Sequence, residues 1–261
     1  MSDTSRVAAI IPAKDEADRI AATVRACRAI PRVDLVLVVD DGSEDGTQHV
    51  ARNAGAVVVR HSVNRGKASA METGSSVVAM RDVEGREPRI LLFIDADLGE
   101  SAIECAPLID PVVSGQVDLA IAALPPQEGA GGFGMVTGYA RNAIQKATGW
   151  RPYQPLSGQR CITREAFNVA QPLSRGWGVE TGMTIDVLTA GFTVQEIPCN
   201  IQHRVSTNSL AGQLHRAAQY RDVVYAVTTR RLRGVHAPKE LIAKAGAAQK
   251  PGSPYSVNYA S

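Results

Sequence analysis

The chain has 261 residues, of which 44% are hydrophobic and 21% charged, and its formal net charge is +2. These values are typical of a protein with an ordinary buried core and exclude an intrinsically disordered chain. The near balance of charge argues against nucleic acid as the main partner, because nucleic-acid-binding domains are usually net basic.

The chain carries no predicted secretion signal and no run of 18 apolar residues, so we expect a cytoplasmic protein. Four cysteines are spread along it without a CxxC pair or zinc-like spacing: Cys27, Cys105, Cys161 and Cys199. We therefore expect reduced thiols in the core, as is usual for cytoplasmic proteins.

Short apolar runs alternate with helical patterns in the first hundred residues. Strands are predicted at Val7–Ile11, Leu35–Val39, Val57–Val59 and Ile90–Ile94. Helices are predicted between them at Asp15–Ile30, Glu44–Ala54 and Lys67–Arg81. This alternation predicts an α/β fold, in which a mostly parallel central sheet is flanked by helices. Ligands bind beyond the carboxyl ends of such strands, which points to the carboxylate-rich segments 12–16, 40–46 and 95–98.

The second half is less regular, and a loop rich in Pro and Gly occupies residues 124–135. Helices are predicted at Val136–Ala147, Gly182–Ala190 and Leu210–Leu232, and extended segments at Arg160–Thr163, Phe192–Pro198 and Cys199–Val205. We expect residues 1–234 to form a single domain. Residues 235–261 are rich in Ala, Lys, Pro and Gly and lack periodicity, so we expect a disordered tail.

The strongest local signal is the strand end LLFIDADL at residues 91–98. Asp95 and Asp97 are two residues apart, so in an extended segment both carboxylates can face one cation. Mg²⁺ and Mn²⁺ prefer oxygen ligands, commonly one or two carboxylates together with substrate phosphates. The pattern therefore predicts a divalent-metal site, although an isolated D-x-D can equally be a helix N-cap or part of a solvated loop.

Two further segments lie near predicted strand ends. VVDDGSEDGT, residues 38–47, places Asp40 where a carboxylate can accept hydrogen bonds from a ribose or a base, and it can also be read as a simple turn and helix cap. NRGKASAM, residues 64–71, places Arg65 and Lys67 at a helix start, which favours a diphosphate. Neither segment is a Walker A or a GxGxxG sequence, so neither an ATPase nor a dinucleotide fold is indicated.

Taken in order, IIPAKDEADRI, VVDDGSEDGT, NRGKASAM and FIDADL resemble the motif series of GT-A glycosyltransferases of the family 2 type, over residues 6–100. The resemblance implies a GT-A, Rossmann-like fold with a nucleotide-binding half (residues 1–100) and an acceptor-binding half (residues 101–234) that ends in a C-terminal helix. It also implies a nucleotide-diphospho-sugar donor and a divalent metal, Mg²⁺ or Mn²⁺, which would bridge the diphosphate to Asp97 and assist its departure. The donor-binding residues implied are Pro12, Ala13, Glu16, Asp40, Lys67, Asp95, Ala96 and Asp97.

The segment SRGWGVETGMTIDVLTAGFTVQEIPCNIQHR, residues 174–204, resembles that of glucosyl-3-phosphoglycerate synthases, a retaining group. In that group a Gly-Val-Glu sequence opens a helix, and a His shortly before an Arg completes the metal site. The resemblance implies that Glu180 is a catalytic residue, beside Asp97, and binds the donor sugar, and that His203 is a metal ligand. Without the resemblance, Glu180 can be a partner of the helix dipole and His203 a structural or surface residue.

The sequence departs from that group at the acceptor motif Gly-Arg-Val-Thr. Here the corresponding acceptor-binding residues are Gly134, Met135, Val136 and Thr137. A thioether cannot replace the charge-assisted hydrogen bonds of a guanidinium to a phosphate. We therefore do not expect 3-phosphoglycerate as the acceptor, although Arg141 lies one helical turn further on.

The main hypothesis is a metal-dependent hexosyltransferase that moves glucose from UDP-glucose to a small hydrophilic acceptor with retention. Retention needs no general base, because the leaving diphosphate can take the acceptor proton, whereas inversion would need a carboxylate such as Glu180 or Asp186. One alternative is a peripheral-membrane transferase that acts on a polyprenyl phosphate, and another is a non-catalytic nucleotide-sugar-binding module. The membrane alternative depends on the basic final helix, whose face could also be solvated or form a homodimer interface. Its arginines are Arg216, Arg221, Arg230, Arg231 and Arg233.

Overall fold

A seven-stranded sheet forms the centre of the fold; the computed structural model describes residues 5–124, 134–201, 210–250 and 252–260. The strands are β1 (Val7–Ala13), β2 (Val33–Asp40), β3 (Val57–Arg60), β4 (Ile90–Phe93), β5 (Leu119–Ala123), β6 (Arg160–Ile162) and β7 (Val194–Pro198). Their order across the sheet is β3-β2-β1-β4-β6-β5-β7. Of these seven strands, β6 alone runs antiparallel to its neighbours β4 and β5. The predicted mostly parallel α/β sheet is confirmed.

Helices cover both faces of this sheet. They are α1 (Ile20–Ala29), α2 (Thr47–Asn53), α3 (Lys67–Arg81), α4 (Ile109–Val113), α5 (Gly134–Thr148), α6 (Arg164–Val169), α7 (Val179–Thr189), α8 (Leu210–Leu232) and α9 (Lys239–Ala248). Successive strand residues point to opposite faces, so Ile10 belongs to one apolar core and Ile11 to the other. The four cysteines are free and buried in the second of these cores, as predicted. None of the helices in the described ranges has the length and apolar character that a membrane span requires.

Helix α1 begins five residues later than predicted. The backbone N–H groups of Asp15 and Glu16 donate to Ser43 Oγ (2.9 Å) and Thr47 Oγ1 (2.8 Å), and Asp15 has a φ of 54°. Because side chains from the loop after β2 and from the start of α2 bind these amides, residues 14–19 form a turn rather than a helix. The predicted donor segment 12–16 is thereby fixed to the segment that follows β2.

The tail after residue 234 is folded where the structure describes it, and the prediction of disorder there is wrong. Residues 239–248 form α9, and the buried Tyr255 exchanges two backbone hydrogen bonds of 2.8 Å with Val194 in β7. Tyr255 also stacks on Trp150, with ring centroids 6.2 Å apart, and donates to the backbone oxygen of Thr148 at 2.7 Å. Other contacts with distant residues, such as the hydrogen bond of 2.9 Å from the Ala237 N–H to the Ala147 oxygen, also hold the segment, and such contacts leave no periodic pattern in a sequence.

Gly74 allows α3 to pack closely on the sheet. A Cβ at this position would lie 2.4 Å from Ile10 Cγ2, whereas a Cβ at Gly138 in α5 would meet nothing within 4 Å. We expect Gly74→Ala to lower the free energy of unfolding by about 2 kcal/mol through overpacking. The control Gly138→Ala should raise it by about 0.5–1 kcal/mol, because Gly weakens a helix interior. Urea denaturation measures both, and a Gly74→Ala protein as stable as the wild type would contradict this packing.

Candidate active site

The carboxyl ends of β1, β2 and β4 lie side by side. Ala13, the last residue of β1, pairs with Asp40, the last residue of β2, and the Asp41 N–H donates to the Ala13 oxygen at 2.8 Å. On the other side of β1, the Ile94 N–H donates to the Ile10 oxygen at 3.1 Å, which brings β4 and the residues after it alongside. The structure thus brings the segments 12–16, 40–46 and 95–98 to one edge of the sheet, as predicted.

Lys67, the first residue of α3, joins two carboxylates that are distant in the sequence. Its Nζ lies 2.7 Å from Asp95 Oδ1 and 3.0 Å from Glu180 Oε1, in the first turn of α7. The side chains of Lys67 and Asp95 are each 29% exposed, and that of Glu180 is 8% exposed. Burial alone would lower the pKa of Lys67, but the carboxylates of Asp95 and Glu180 outweigh it and raise this pKa above its ordinary value. The ammonium group therefore fixes Glu180 beside the D-x-D segment.

The two aspartates of the D-x-D segment have different surroundings. Asp95 is held at both oxygens, because Lys67 binds Oδ1 and Gln159 Nε2 donates to Oδ2 at 2.6 Å. The Asp97 backbone oxygen accepts from Arg19 Nη1 at 3.0 Å. The Asp97 carboxylate, in contrast, accepts no hydrogen bond from any residue that the structure describes. Its backbone is therefore fixed, and its carboxylate is open to a ligand.

Ala96, between the two aspartates, contributes through its backbone. Its side chain is buried, and its carbonyl accepts from Thr23 Oγ1 at 2.7 Å. The same hydroxyl accepts from the Gly99 N–H at 2.9 Å, on the far side of Asp97. Thr23 of helix α1 thus fixes the backbone of the D-x-D segment both before and after Asp97.

Asp40 lines a polar cleft of about 540 Å³ beside the carboxyl ends of β2 and β3. The residue is 1% exposed, and its Oδ1 accepts from the Ser43 N–H at 2.9 Å. Oδ2 lies 3.2 Å from Arg60 Nε, yet it accepts no hydrogen bond of good geometry from the described residues. Oδ2 is buried beside the Arg60 guanidinium, so a ligand in the cleft could bind this oxygen only if the Arg60 side chain moved.

Gln159, which binds Asp95, and its neighbour Arg160 were not predicted as site residues. Arg160 is completely buried, and burial lowers its pKa to about 10. Its guanidinium donates to three backbone oxygens and one hydroxyl: Pro155 O (3.3 Å), Ser157 O (2.8 Å), Glu180 O (3.0 Å) and Thr184 Oγ1 (2.9 Å). Arg160 therefore ties the loop that carries Gln159 to the helix that carries Glu180.

Strand direction explains how Gln159 reaches the site. Because β6 is antiparallel to β4, its amino end lies beside the carboxyl end of β4, with Arg160 opposite Phe93. A Cβ at Gly158 would lie 2.7 Å from Asp95 Oδ2, so this loop approaches as closely as it does because residue 158 has no side chain. The only signal in the sequence is a pair of polar residues, of which Gln159 directly precedes a short predicted strand and Arg160 begins it.

The four predicted acceptor residues form the first turn of α5. Met135 is 76% exposed and Val136 is buried. In the described part of the chain, none of the four gives a hydrogen bond or ion pair to Lys67, Asp95 or Glu180. Arg141 donates to the backbone oxygens of residues 152 and 153 at 2.7 and 2.6 Å, so it is committed to that loop.

The remaining predicted residues lie at or near the end of β1, or outside the described ranges. Pro12 ends β1 together with Ala13, and Glu16 lies in the turn that follows. His203 lies outside the described residues. Within the described ranges, no three His, Cys, Asp or Glu side chains form a metal-binding group. The free carboxylate of Asp97 is nevertheless a hard oxygen ligand of the type that Mg²⁺ and Mn²⁺ take together with phosphate oxygens.

Comparison with known proteins identifies relatives of this chain. It is 28% identical over 198 residues to glucosyl-3-phosphoglycerate synthase of Mycolicibacterium paratuberculosis, an alignment that covers 69% of this chain and 59% of that protein. It is 27% identical over 252 residues to polyprenol monophosphomannose synthase of Mycolicibacterium smegmatis, with 89% and 92% covered. The chain spans about 60% of the length of most of the curated relatives that it matches.

A solved structure shares the fold. The crystal structure of glucosyl-3-phosphoglycerate synthase from Mycobacterium tuberculosis in complex with Mn²⁺, UDP-glucose and phosphoglyceric acid aligns with a TM-score of 0.67 and 25% identity, over 87% of this chain and 79% of that chain. This agreement confirms the GT-A fold. The family model described as Glycosyl transferase family 2 matches residues 8–164, more than half of the chain. The protein therefore belongs to glycosyl transferase family 2.

Proposed function

We propose that this protein is a metal-dependent glycosyltransferase that moves glucose from UDP-glucose to an acceptor hydroxyl. The observation that carries the proposal is the difference in hydrogen bonding between the two aspartates of the D-x-D segment. Asp95 is bound by Lys67 and Gln159, while the carboxylate of Asp97 accepts no hydrogen bond from a described residue. A carboxylate held by its backbone and free at its oxygens suits a metal ligand better than a helix cap, which would bind an amide.

Asp97 would hold Mg²⁺ or Mn²⁺, with His203 as the second protein ligand proposed from the resemblance. When bound, the metal supplies Lewis-acid stabilisation of the charge that develops on the departing diphosphate. The relative of known structure was crystallised with Mn²⁺ and UDP-glucose, which supports the same pair here.

The other site residues would bind the donor in three parts. Asp40 would accept an N–H of the base or a hydroxyl of the ribose, since it lines the polar cleft together with Arg60. Pro12, Ala13 and Glu16 lie next to it. Lys67 would lie near the diphosphate, and Glu180, which it holds in place, would accept hydrogen bonds from sugar hydroxyls.

Retention is supported by the surroundings of the two candidate bases. Glu180 is bound to Lys67, and Asp186 is paired with Arg230, whose Nε lies 2.8 Å from Asp186 Oδ1. Each carboxylate already holds a cation, which argues against either of them as the base for an acceptor proton. In the proposed step the acceptor oxygen bonds to the anomeric carbon, the bond from that carbon to the diphosphate breaks, and the proton passes to a diphosphate oxygen on the same face. An NMR assignment of an α-linked product from α-linked UDP-glucose would support retention, and a β-linked product would contradict it.

The proposed acceptor is a small hydrophilic molecule other than 3-phosphoglycerate. Met135 offers no charge at the position where the synthases carry Arg, and Arg141 is already bound to backbone oxygens. A polyprenyl phosphate is the second candidate, because the polyprenol monophosphomannose synthase is a relative matched over 92% of its length. Against it, Arg230 is buried in its pair with Asp186, which removes one cation from the basic face.

Titration calorimetry with UDP, GDP and their glucose conjugates tests the donor. We expect UDP and UDP-glucose to bind in the presence of Mn²⁺, at least about tenfold more tightly than GDP, and EDTA to abolish that binding. Failure of every nucleotide to bind with Mn²⁺ would contradict the proposal. Binding of UDP-glucose without release of UDP in the presence of any soluble or polyprenyl phosphate acceptor would instead identify a non-catalytic binding module. Transfer only to polyprenyl phosphate in liposomes would favour the second acceptor.

A further inference from the structure

We propose that His61 is a positioning residue of the donor site, which acts by orienting Asp41 so that the turn before Lys67 is held in place. His61 follows β3 and is not among the residues that bind the donor in the proposed function. The inference rests on that proposed function, because its consequence for binding is a consequence for the nucleotide-sugar.

Both ring nitrogens of His61 are occupied within a buried environment. Nδ1 lies 2.7 Å from Asp41 Oδ1, and Nε2 lies 2.9 Å from Thr73 Oγ1 in α3. A carboxylate only accepts hydrogen bonds, so Nδ1 carries the proton and donates it. The His61 backbone N–H also donates to the Asp40 oxygen at 2.9 Å, which fixes the end of β3 against the end of β2.

Asp41 uses its carboxylate to hold the turn that precedes α3. Oδ1 accepts from the Arg65 N–H at 2.9 Å as well as from His61, and Oδ2 accepts from the Gly66 N–H at 2.7 Å. Gly66 has a φ of 89°, a conformation that favours glycine, and Lys67 follows it directly as the first residue of α3. Among the described residues, every hydrogen bond to the Asp41 carboxylate therefore comes either from His61 or from this turn.

The contacts form a continuous path from His61 to the reacting end of the site. The path passes from His61 to Asp41, from Asp41 to the turn, and from the turn to Lys67, whose Nζ binds Asp95 and Glu180. Rotation of the Asp41 carboxylate would release the turn and shift Lys67. A displacement of about 1 Å in a positioning group can cost up to about a hundredfold in rate.

Two substitutions of His61 distinguish the contact of Nδ1 with Asp41 from the contact of Nε2 with Thr73. The amide nitrogen of Asn reaches approximately the position of Nδ1, and that of Gln reaches approximately the position of Nε2. His61→Asn can therefore keep the bond to Asp41, whereas His61→Gln can keep the contact with Thr73 and loses Asp41. Each variant loses one buried hydrogen bond, so we expect similar decreases in Tm.

We expect His61→Gln to weaken Mn²⁺–UDP-glucose binding by about tenfold or more, and His61→Asn to change it by less than about threefold. The matched control Thr73→Val, which removes the Nε2 partner alone, should behave as His61→Asn does. Equal weakening in His61→Gln and His61→Asn, or no weakening in either, would overturn the proposal. In a Lys67→Met background, His61→Gln should add less than about twofold, because the two residues act through one path. A full tenfold effect in that background would also overturn it.

Amide hydrogen exchange tests the same link without a nucleotide. We expect the Arg65 and Gly66 amides to exchange at least about tenfold faster in His61→Gln than in His61→Asn, since Asp41 is released only in the former. Equal exchange in the two variants would contradict the proposed path. If the wild-type protein binds no nucleotide, the proposed function fails while this measurement still decides the role of His61 in the turn.

Discussion

Replacement of Asp97 by Ala will abolish the Mn²⁺-dependent part of UDP-glucose binding and lower turnover by about a thousandfold, the loss expected when a group that stabilises transition-state charge is removed. The reason is the carboxylate of Asp97, which accepts no hydrogen bond from the described residues and is the hard oxygen ligand that we propose for the metal. Calorimetry with and without Mn²⁺ measures the loss of binding, and single-turnover release of UDP measures the loss of turnover. The control Asp110→Ala removes an exposed carboxylate of α4 and should change neither.

Asp97→Asn sharpens this prediction because it preserves the shape of the side chain. The carboxylate makes no hydrogen bond within the described residues, so we expect the Tm of Asp97→Asn to stay within about 1 °C of the wild-type value. Metal-dependent binding should nevertheless be lost. Wild-type Mn²⁺-dependent affinity in either variant would show that Asp97 is not the ligand.

Replacement of Lys67 by Met is the second large effect that we expect. It removes the cation between Asp95 and Glu180, leaving two carboxylates to repel each other and an incoming diphosphate. Loss of one partner of a fully buried ion pair costs about 3–5 kcal/mol, and because these side chains are partly exposed we expect a decrease of about 2 kcal/mol in the free energy of unfolding. Turnover should fall by about a hundredfold, since Glu180 is no longer held beside the donor sugar.

Lys146→Met is the matched control for this substitution. It removes an exposed lysine from the last turn of α5, and we expect wild-type stability and turnover. Urea denaturation and UDP release measure the pair of variants. Near-wild-type turnover in Lys67→Met would contradict the assignment of the Lys67–Asp95–Glu180 cluster to the donor site.

The sequence by itself determined the class of fold and the edge of the sheet at which the candidate site lies. Alternating apolar strands and helices require crossover connections, and these place the carboxyl ends of parallel strands together. The segments that contain Asp40, Lys67 and the D-x-D pair therefore converge in the structure as predicted. Each of them is recognisable from neighbouring residues alone, because strand ends and helix starts are local features.

Only the tertiary structure decided how the site is completed. Periodicity does not reveal that β6 is antiparallel, yet this direction is what brings Gln159 to Asp95 and Arg160 to the helix that carries Glu180. The carboxylates of Asp95 and Asp97 look alike in the sequence, and their different surroundings follow from partners of Asp95 that lie tens of residues away. The same reason explains the late start of α1 and the folded tail, because in both cases hydrogen bonds from distant residues override the local pattern.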